Sequence, residues 1–275
     1  MLGANSYGKS GIRLVRVARR GPTHDLQDLT VAVRFEGDFE AAHVAGDNSA
    51  ILPTDTMKNT VYAMARERPL EEIEGLGLAL SEHFLTENPA VSFVEISIEQ
   101  RLWSHIDSTA FEGARSDRRT ARISRRPGGA NVESGLTGLL VLKSAGSGFS
   151  GFRRDRYTTL PETEDRILAT SLTAAWTHAS PQPPFAAWGT VRETLLETFA
   201  KHDSASVQHT LYAMGEAALG RHPELAQIRL TMPNKHHLLV DLSRFGIVNE
   251  NEIFVATEEP YGLIEATVTR DRAES

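Results

Sequence analysis

The predicted secondary-structure elements occur in the order strand–strand–helix–helix–strand–strand, and this order is repeated once along the 275 residues. Val31, Val33 and Phe35 alternate with their neighbours in the two-residue period of a half-buried strand. Leu76 and Leu80 recur at helical spacing. Because paired strands surround paired helices, the pattern predicts an α+β protein built from antiparallel sheets.

Residues 125–135, RRPGGANVESG, form the predicted linker between the two repeats. We therefore expect one domain at residues 1–130 and a second at residues 131–275. Strands are predicted at 12–20, 28–40, 134–143, 163–178, 226–232 and 236–242. Helices are predicted to begin at Thr54 or Asp55, at Pro69, at Thr190 and at Ser204 or Ser206.

One face of each predicted sheet carries helices, but the other face also carries apolar side chains. A sheet face of this kind must be covered to be stable. A second copy of the chain would cover it, either by packing sheet on sheet or by closing a shared barrel. The pattern therefore predicts an oligomer.

The composition excludes several classes of function. The chain contains no cysteine, so disulfides, thiolate catalysis and cysteine-held clusters are excluded. Its formal net charge of -7 argues against a nucleic-acid partner, which requires a basic surface. The sequence has no apolar run of roughly 18 residues and no targeting signal, so we expect a cytoplasmic protein with no membrane partner.

The stretch RLTMPNKHHLLVDLS places polar residues between two apolar segments. His236 and His237 are adjacent in a predicted strand, so their side chains point to opposite faces and cannot bind one metal ion. No other histidine spacing typical of a metal site occurs, and we expect no metal. A hairpin bend is assigned to Pro233 and Asn234, and the inner face to His236. Lys235 and His237 are assigned to the outer face.

Six residues at the ends of predicted elements are candidates for a binding site, and each also has an ordinary structural explanation. The candidates are Lys9, Thr54, Phe149, Arg166, Val207 and Gln208. Val207 and Gln208 lie in the first turn of a helix, where free N–H groups bind a ligand oxygen or water. The ordinary explanation for Lys9 is an exposed lysine, and for Thr54 it is a helix N-cap. Aromatic packing would explain Phe149, and a surface salt bridge would explain Arg166.

Five segments, in order and at matching spacing, resemble the signatures of the urate oxidase (uricase) family. The segments are YGKSGIR, GDNSAILPTDTMKNTVY, GFSGFRRDRYTTLPETEDRIL, SASVQHTLYAM and LTMPNKHHLLVDLS, and the resemblance extends from about residue 6 to residue 268. It implies two tandem tunnelling-fold (T-fold) domains, each with a helix pair on one face of an antiparallel sheet. It also implies a homotetramer whose sheets form a β-barrel tunnel.

The resemblance implies conversion of urate, O2 and water to 5-hydroxyisourate and H2O2, with no metal and no organic cofactor. It implies that Lys9, Thr54 and His236 form a proton network, and that Asn234 and Thr54 hold O2 or the attacking water. The implied substrate-binding residues are Thr54, Asp55, Phe149, Arg166, Val207, Gln208 and Asn234. In the family, Lys9 and Thr54 face the other residues across a subunit boundary, so each site would use two chains.

Two other interpretations remain open. One is another T-fold enzyme that acts on a pterin or a purine-like ring, although the absent cysteines and the scattered histidines argue against the zinc that some of these enzymes use. The other is a non-catalytic purine-binding protein, which would not need a lysine base beside the ring. One departure from the family pattern is Ser150, which follows Phe149 where some relatives carry a second aromatic residue.

Overall fold

The computed structural model describes residues 1–68, 72–113 and 116–270. The chain divides into two compact units. The first unit contains Met1–Gly135 and Thr177–Phe185, and the second contains Leu136–Trp176 and Ala186–Ser275. The helix start predicted at Pro69 lies outside the described residues.

The first unit contains the first copy of the predicted order. Its elements are β1 (Tyr7–Arg20), β2 (Thr23–Gly37), α1 (Glu40–Val44), α2 (Thr54–Glu67), α3 (Ile73–Glu87), β3 (Val91–Arg101), β4 (Ser104–His105), β5 (Phe111–Glu112), β6 (Arg118–Arg126) and the start of β7 (Gly129–Lys143). β2 pairs with β1 and with β3, and β3 pairs with β6, all antiparallel. The prediction of paired antiparallel strands around a helix pair is confirmed here.

Helices α2 and α3 cover one face of the sheet in the first unit. Val31, Val33 and Phe35, the alternating residues of β2, are buried on this face. The Phe35 ring meets Phe84 of α3 edge-on, with 5.2 Å between the ring centroids. Burial of each such side chain stabilises the fold by about 1.5–3 kcal/mol, so this layer holds the helix pair on the sheet, with α2 against β1 and α3 against β3 and β6.

The second unit contains the second copy of the order. After the rest of β7, its elements are β8 (Leu168–His178), α4 (Trp188–Lys201), α5 (Val207–Arg221), β9 (Leu225–Lys235), β10 (His237–Leu239), a short 3-10 helix (Ser243–Phe245), β11 (Phe254–Ala256) and β12 (Gly262–Thr269). The hydrogen-bonded order of the eight main strands is β1-β2-β3-β6-β7-β8-β9-β12. Ile228, Leu230 and Met232 alternate along β9 and are fully buried.

The hairpin predicted at PNKHH is wrong. Pro233 and Asn234 lie inside β9, opposite Leu263 and Gly262 of β12. β9 continues to Lys235 because β12, a strand that is distant in the sequence, pairs with it through this stretch. The polar residues therefore end a strand of the main sheet instead of forming a turn.

The strand predicted at 236–242 is much shorter than expected. Only His237–Leu239 form β10, which pairs with β11 in a separate two-stranded sheet. Leu238, which lies two residues after His236, is 57% exposed. The apolar pattern of this segment therefore does not mark a core within the chain.

Several other boundaries differ from the predictions. β2 runs from Thr23 to Gly37, so the strand predicted at 28–40 began too late and ended too late, and β8 begins at Leu168, so the strand predicted at 163–178 began too early. α4 begins at Trp188, and the predicted cap Thr190 instead donates its hydroxyl hydrogen bond to the carbonyl of Ala187, 2.9 Å away. Within the predicted linker, only residues 127 and 128 form a turn between β6 and β7, and residues 129–135 belong to β7.

Apolar side chains remain exposed on strands of both units. Val15 of β1 is 58% exposed, and Leu140 of β7 is 60% exposed. Residues 237–256, which we call the arm, carry a further exposed set: Leu238, Leu239, Phe245, Ile247, Val248, Ile253 and Val255. None of the described helices has the length and apolar character needed to cross a membrane.

Candidate functional site

The predicted site residues fall into two groups, one in each unit. The first unit carries Lys9, Thr54 and Asp55, and the second carries Phe149, Arg166, Val207, Gln208, Asn234 and His236. We call these groups the first-unit group and the second-unit group.

A β-bulge sets the direction of the Lys9 side chain. Lys9 of β1 lies opposite Val33 of β2, and Ile12 lies opposite Val31. Between these two pairs β1 advances by three residues and β2 by two, so β1 contains one extra residue. Paired residues of an antiparallel ladder share a face, and Val33 is buried beneath the helices. The extra residue keeps both Lys9 and Ile12 on the helix-bearing face. Lys9 is therefore half-buried and not the exposed lysine of the ordinary explanation.

Two glycines make this geometry possible. Gly11, inside the bulge, has φ +68°, in the left-handed region that L side chains rarely adopt. Gly8 approaches β2 so closely that a Cβ atom there would lie 1.9 Å from the carbonyl oxygen of Val33. The glycines that bracket Lys9 in YGKSGIR therefore have a direct structural cause.

Thr54 is the first residue of α2, and Pro53 is its N-cap. The predicted capping role of Thr54 is therefore wrong, as is the alternative start at Asp55. The preceding loop is held to β1, since the N–H of Leu52 donates to the hydroxyl of Tyr7 at 3.0 Å. Tyr7 lies two residues before Lys9 on the same face, so one aromatic side chain links the start of α2 to the Lys9 strand.

Asp55 lies in the first turn of α2 and accepts hydrogen bonds from two residues of the same helix, Lys58 and Asn59. The hydrogen bond and charge of Lys58 lower the pKa of the Asp55 carboxyl, and the charge of Lys9 acts in the same direction. Asp55 therefore stays ionised at neutral pH, within range of the Lys9 charge.

In the second unit, main-chain hydrogen bonds join the loop of Phe149 to the segment of Arg166. The N–H of Phe149 donates to the carbonyl of Thr163 at 2.7 Å, and the N–H of Arg166 donates to the carbonyl of Ser147 at 2.7 Å. Asp165 adds a side-chain contact, because its carboxylate accepts from the N–H of Ser147 at 3.2 Å. The two predicted residues are thus fixed side by side.

The guanidinium of Arg166 lies over the Phe149 ring, 5.1 Å from its centroid. Its Nε is buried and has no hydrogen-bond partner among the described residues. Burial lowers the pKa of Arg166, although an arginine remains charged throughout the range in which proteins fold. A buried cation with an unpartnered donor is well suited to bind a planar anion. The surface salt bridge of the ordinary explanation is absent from the described contacts of Arg166.

Phe152 is a further aromatic residue of this loop, and it was not among the predicted site residues. Its ring stacks on Phe149, with the centroids 4.8 Å apart and the planes 13° from parallel. The aromatic neighbour missing at Ser150 is therefore supplied two residues later. The second phenylalanine of GFSGF was the available signal, but only the loop conformation shows that it turns back onto the first.

The first turn of α5 contains Val207 and Gln208. Ser206 is its N-cap and accepts a hydrogen bond from the N–H of His209 at 3.1 Å, so the predicted cap is confirmed. Val207 is buried, whereas Gln208 is exposed. Ser204 joins this turn to the Phe149 loop, because its carbonyl accepts from the N–H of Gly148 at 2.7 Å. Phe149, Arg166 and the start of α5 therefore form one hydrogen-bonded group.

Asn234 and His236 lie near the end of β9. Asn234 is a buried polar residue of that strand, and His236 is half-buried in the link to β10. The carbonyl of His236 accepts from the N–H of Thr257 at 2.9 Å, which ties this link to the chain beyond β11. Within the described ranges, no three His, Asp or Glu side chains are grouped so that they could hold a metal ion.

Comparisons with known proteins agree on one family. The family described as Uricase matches residues 5–126 and 132–265. The chain is 46% identical to the uricase of Arthrobacter globiformis over 274 residues, which cover 98% of this chain and 90% of that protein. It is 36% identical to the uricase of Aspergillus flavus over 295 residues, which cover 99% of this chain and 98% of that protein.

Solved structures show the same fold. The crystal structure of the Arthrobacter globiformis uricase matches with a TM-score of 0.96 and 45% identity, covering 100% of this chain and 96% of that one. A urate oxidase structure from Bacillus sp. TB-90 matches with a TM-score of 0.86 over 97% of this chain and 100% of that one. Its identity is 24%, so this second match supports the fold alone.

Proposed function

The chain belongs to the uricase family, and we propose that it oxidises urate with O2 and water to 5-hydroxyisourate and H2O2 in purine degradation. The observation that carries the proposal is the family match along nearly the whole chain, which includes all nine predicted site residues. The nine comprise the first-unit group of three and the second-unit group of six.

The second-unit group would bind the urate anion. Arg166 offers a planar cation with an unpartnered Nε, and such a fork fits an acidic edge of the purine. Val207 offers a main-chain N–H in the first turn of α5, where no intrahelical partner exists. Gln208 adds an exposed amide that can both donate and accept. Phe149 offers a ring on which the purine can stack.

The first-unit group would remove protons. Oxidation requires a urate dianion, which passes two electrons to O2; O2 then takes up two protons to become H2O2. Lys9, with Thr54 and His236, would accept the proton from urate and relay it. Asn234, with Thr54, would hold O2 and then the water, which loses a proton as it adds to the oxidised ring. Asp55 would act as a fixed negative charge near Lys9.

We further propose that each site combines the first-unit group of one chain with the second-unit group of another, in a homotetramer of tandem T-fold domains that closes a β-barrel tunnel. The exposed apolar residues of β1, β7 and the arm support this assembly, since large exposed apolar patches mark interaction surfaces. The second-unit group, which would bind urate, contains no lysine of its own. In a site shared between chains, the other chain would supply Lys9 as the base.

The activity is tested by three readings on the purified chain: loss of urate absorbance, uptake of O2 and release of H2O2. We expect all three at equal molar rates, and we expect them to persist after treatment with a strong chelator. A chain that leaves urate unchanged, or one that the chelator inactivates, would contradict the proposal.

A further inference from the structure

The turn between α4 and α5, residues 202–206, contains contacts that the proposed mechanism does not use. His202, the C-cap of α4, and His209, in the first turn of α5, meet edge to face with their ring centroids 4.3 Å apart. Two imidazoles in contact repel each other if both carry a proton, because like charges at short range disfavour ionisation. His209 directly follows Val207 and Gln208 in the first turn of α5, which makes the pair relevant to substrate binding.

His209 and Ser206 satisfy free main-chain donors at the start of α5. The hydroxyl of Ser206 accepts from the N–H of His209 at 3.1 Å, and Nδ1 of His209 accepts from the N–H of Ala205 at 3.4 Å. This resembles a capping box, in which a glutamate or glutamine three residues after the cap reaches back to the chain. Here a histidine occupies that third position, and it can accept only while Nδ1 carries no proton.

His202 holds the same turn from the other side. Its Nδ1 lies 3.2 Å from the hydroxyl of Thr210, a fully buried residue of α5. Its carbonyl accepts a hydrogen bond from the ammonium of Lys143 at 2.5 Å. His202 thus attaches the start of the turn both to the end of β7 and to the second turn of α5. A shift of either imidazole would move the first turn of the helix.

We propose that His202 and His209 are positioning residues that, as a neutral pair, fix the first turn of α5 and so hold the Val207 N–H and the Gln208 amide in place for urate. This inference rests on the proposed function for its ligand. The pair itself touches neither substrate nor the reacting atoms, and it acts through the two residues that it positions.

The surroundings of His202 disfavour a proton on its ring. The charged groups near His202 are the Lys143 ammonium and the Asp203 carboxylate, and His209 faces it directly. Burial, followed by His209 and Lys143, lowers the pKa of His202, whereas Asp203 opposes this shift. The Ala205 N–H needs an unprotonated Nδ1 on His209 as its acceptor. Acidification should therefore break the pair and weaken urate binding.

The test measures urate dissociation constants without O2, together with KM and kcat in air, at pH 8 and pH 5.5. His209→Leu removes the acceptor but keeps an apolar side chain, and we expect it to raise KM and the dissociation constant about three- to tenfold, with kcat within about twofold. His209→Gln supplies the neutral acceptor of an ordinary capping box, and we expect it to restore binding to within about twofold at pH 8.

The acid response separates positioning from packing. The titration of urate itself affects every protein tested in the same way. The ratio of the variant's dissociation constant to that of the wild type therefore reports only the effect of the imidazoles. We expect the affinity of the wild type to fall between pH 8 and pH 5.5 by about threefold more than that of His209→Gln. His202→Phe, which keeps a ring against His209, should also respond less to acid than the wild type, and it serves if His209→Leu does not fold.

Equal affinities for wild type and His209→Leu, equal losses in the Leu and Gln variants, or identical acid responses in wild type, His209→Gln and His202→Phe would each overturn the positioning role. A wild-type chain that binds urate under argon but does not consume it in air would contradict the proposed activity instead. Because the dissociation constants require no turnover, the two failures are distinguishable.

Discussion

The guanidinium carbon of Arg166 lies 5.1 Å from the centroid of the Phe149 ring, and its Nε is buried without a partner among the described residues. Three main-chain hydrogen bonds hold the two segments together, two between Phe149 and Thr163 and one from Arg166 to Ser147. Because the cation is held by its backbone and not by a carboxylate, its donors remain available. A planar anion could therefore meet a fixed guanidinium and an aromatic ring at one place.

Replacing Arg166 with lysine should weaken urate binding with little effect on folding. Lysine keeps the charge but loses the planar fork, and a hydrogen bond to a charged group contributes about 1.5–3 kcal/mol. We expect KM to rise about 10- to 100-fold in steady-state assays. Arg153→Lys is the matched control, because Arg153 is an exposed arginine of the same loop. A similar KM in both variants would contradict the binding role.

Replacing Lys9 with methionine should reduce turnover far more than binding. Methionine keeps the length of the side chain but cannot accept a proton, and a positioned general base contributes about 10²- to 10⁴-fold in rate. We expect kcat to fall within that range, while the urate dissociation constant measured without O2 changes less than about threefold. Lys201→Met, on an exposed position of α4, is the control. Equal losses in kcat and in binding would argue against the base assignment.

Adding a methyl group at Gly8 should disturb the Lys9 strand. The new Cβ would lie 1.9 Å from the Val33 carbonyl oxygen, so β1 must move away from β2. We expect Gly8→Ala to lose about 1–3 kcal/mol in stability, measured by urea unfolding, together with most of its turnover. Gly3→Ala is the control, since no described atom lies within 4 Å of a Cβ at that position. Normal turnover in Gly8→Ala would mean that the close approach does not position Lys9.

The sequence predicted those parts of the fold that depend on local alternation. Val31, Val33 and Phe35 are buried as their two-residue period required, because one face of β2 packs on helices. The cap at Ser206 was likewise predictable, since a serine hydroxyl accepts from the third residue of the helix. In both cases the physical cause lies within a few residues of the pattern.

Features that depend on distant partners could not be predicted in this way. Asn234 appeared to lie in a turn because PNKHH is polar, yet β12 pairs with it and extends the strand. Phe152 turns back onto Phe149 only because the intervening loop has its particular conformation. Thr54 looked like a cap, but the helix already begins there because Pro53 takes the cap position. Local pattern placed six of the nine site residues at the ends of predicted elements but gave each an ordinary explanation as well, and only the family resemblance joined all nine into one site.

Neutralising Glu74 should destabilise the first unit without altering the chemistry. Its carboxylate is 1% exposed, pairs with Arg119 at 2.6 Å and accepts from the Ser134 hydroxyl at 2.5 Å. Breaking a buried ion pair from one side costs about 3–5 kcal/mol, so Glu74→Gln should lower the urea midpoint markedly at a fixed protein concentration. Glu72→Gln is the matched control: Glu72 contacts the same arginine but is 52% exposed, and its loss should cost about 1 kcal/mol or less. Equal midpoints for the two variants would show that burial of Glu74 does not strengthen the pair.

Mixing two inactive variants should restore activity if each site combines two chains. Lys9→Met damages the first-unit group, and Arg166→Ala damages the second-unit group. In a mixed pair related by two-fold symmetry, one site receives both damaged residues and the other receives both intact ones. Half of randomly formed pairs are mixed and half of their sites are intact, so coexpression should give about a quarter of wild-type activity.

The same experiment distinguishes a shared site from a site within one chain. If Lys9 and Arg166 of one chain acted together, every site in the mixture would lack one of them, and activity would stay at the level of the single variants. Coexpression of a Lys9→Met chain with a Thr54→Ala chain is the internal control. Both changes lie in the first-unit group, so no arrangement of these chains produces a site with an intact first-unit group. Recovery in the first mixture and not in the second is therefore the expected result, measured as urate consumption per mole of chain at equal expression of both variants.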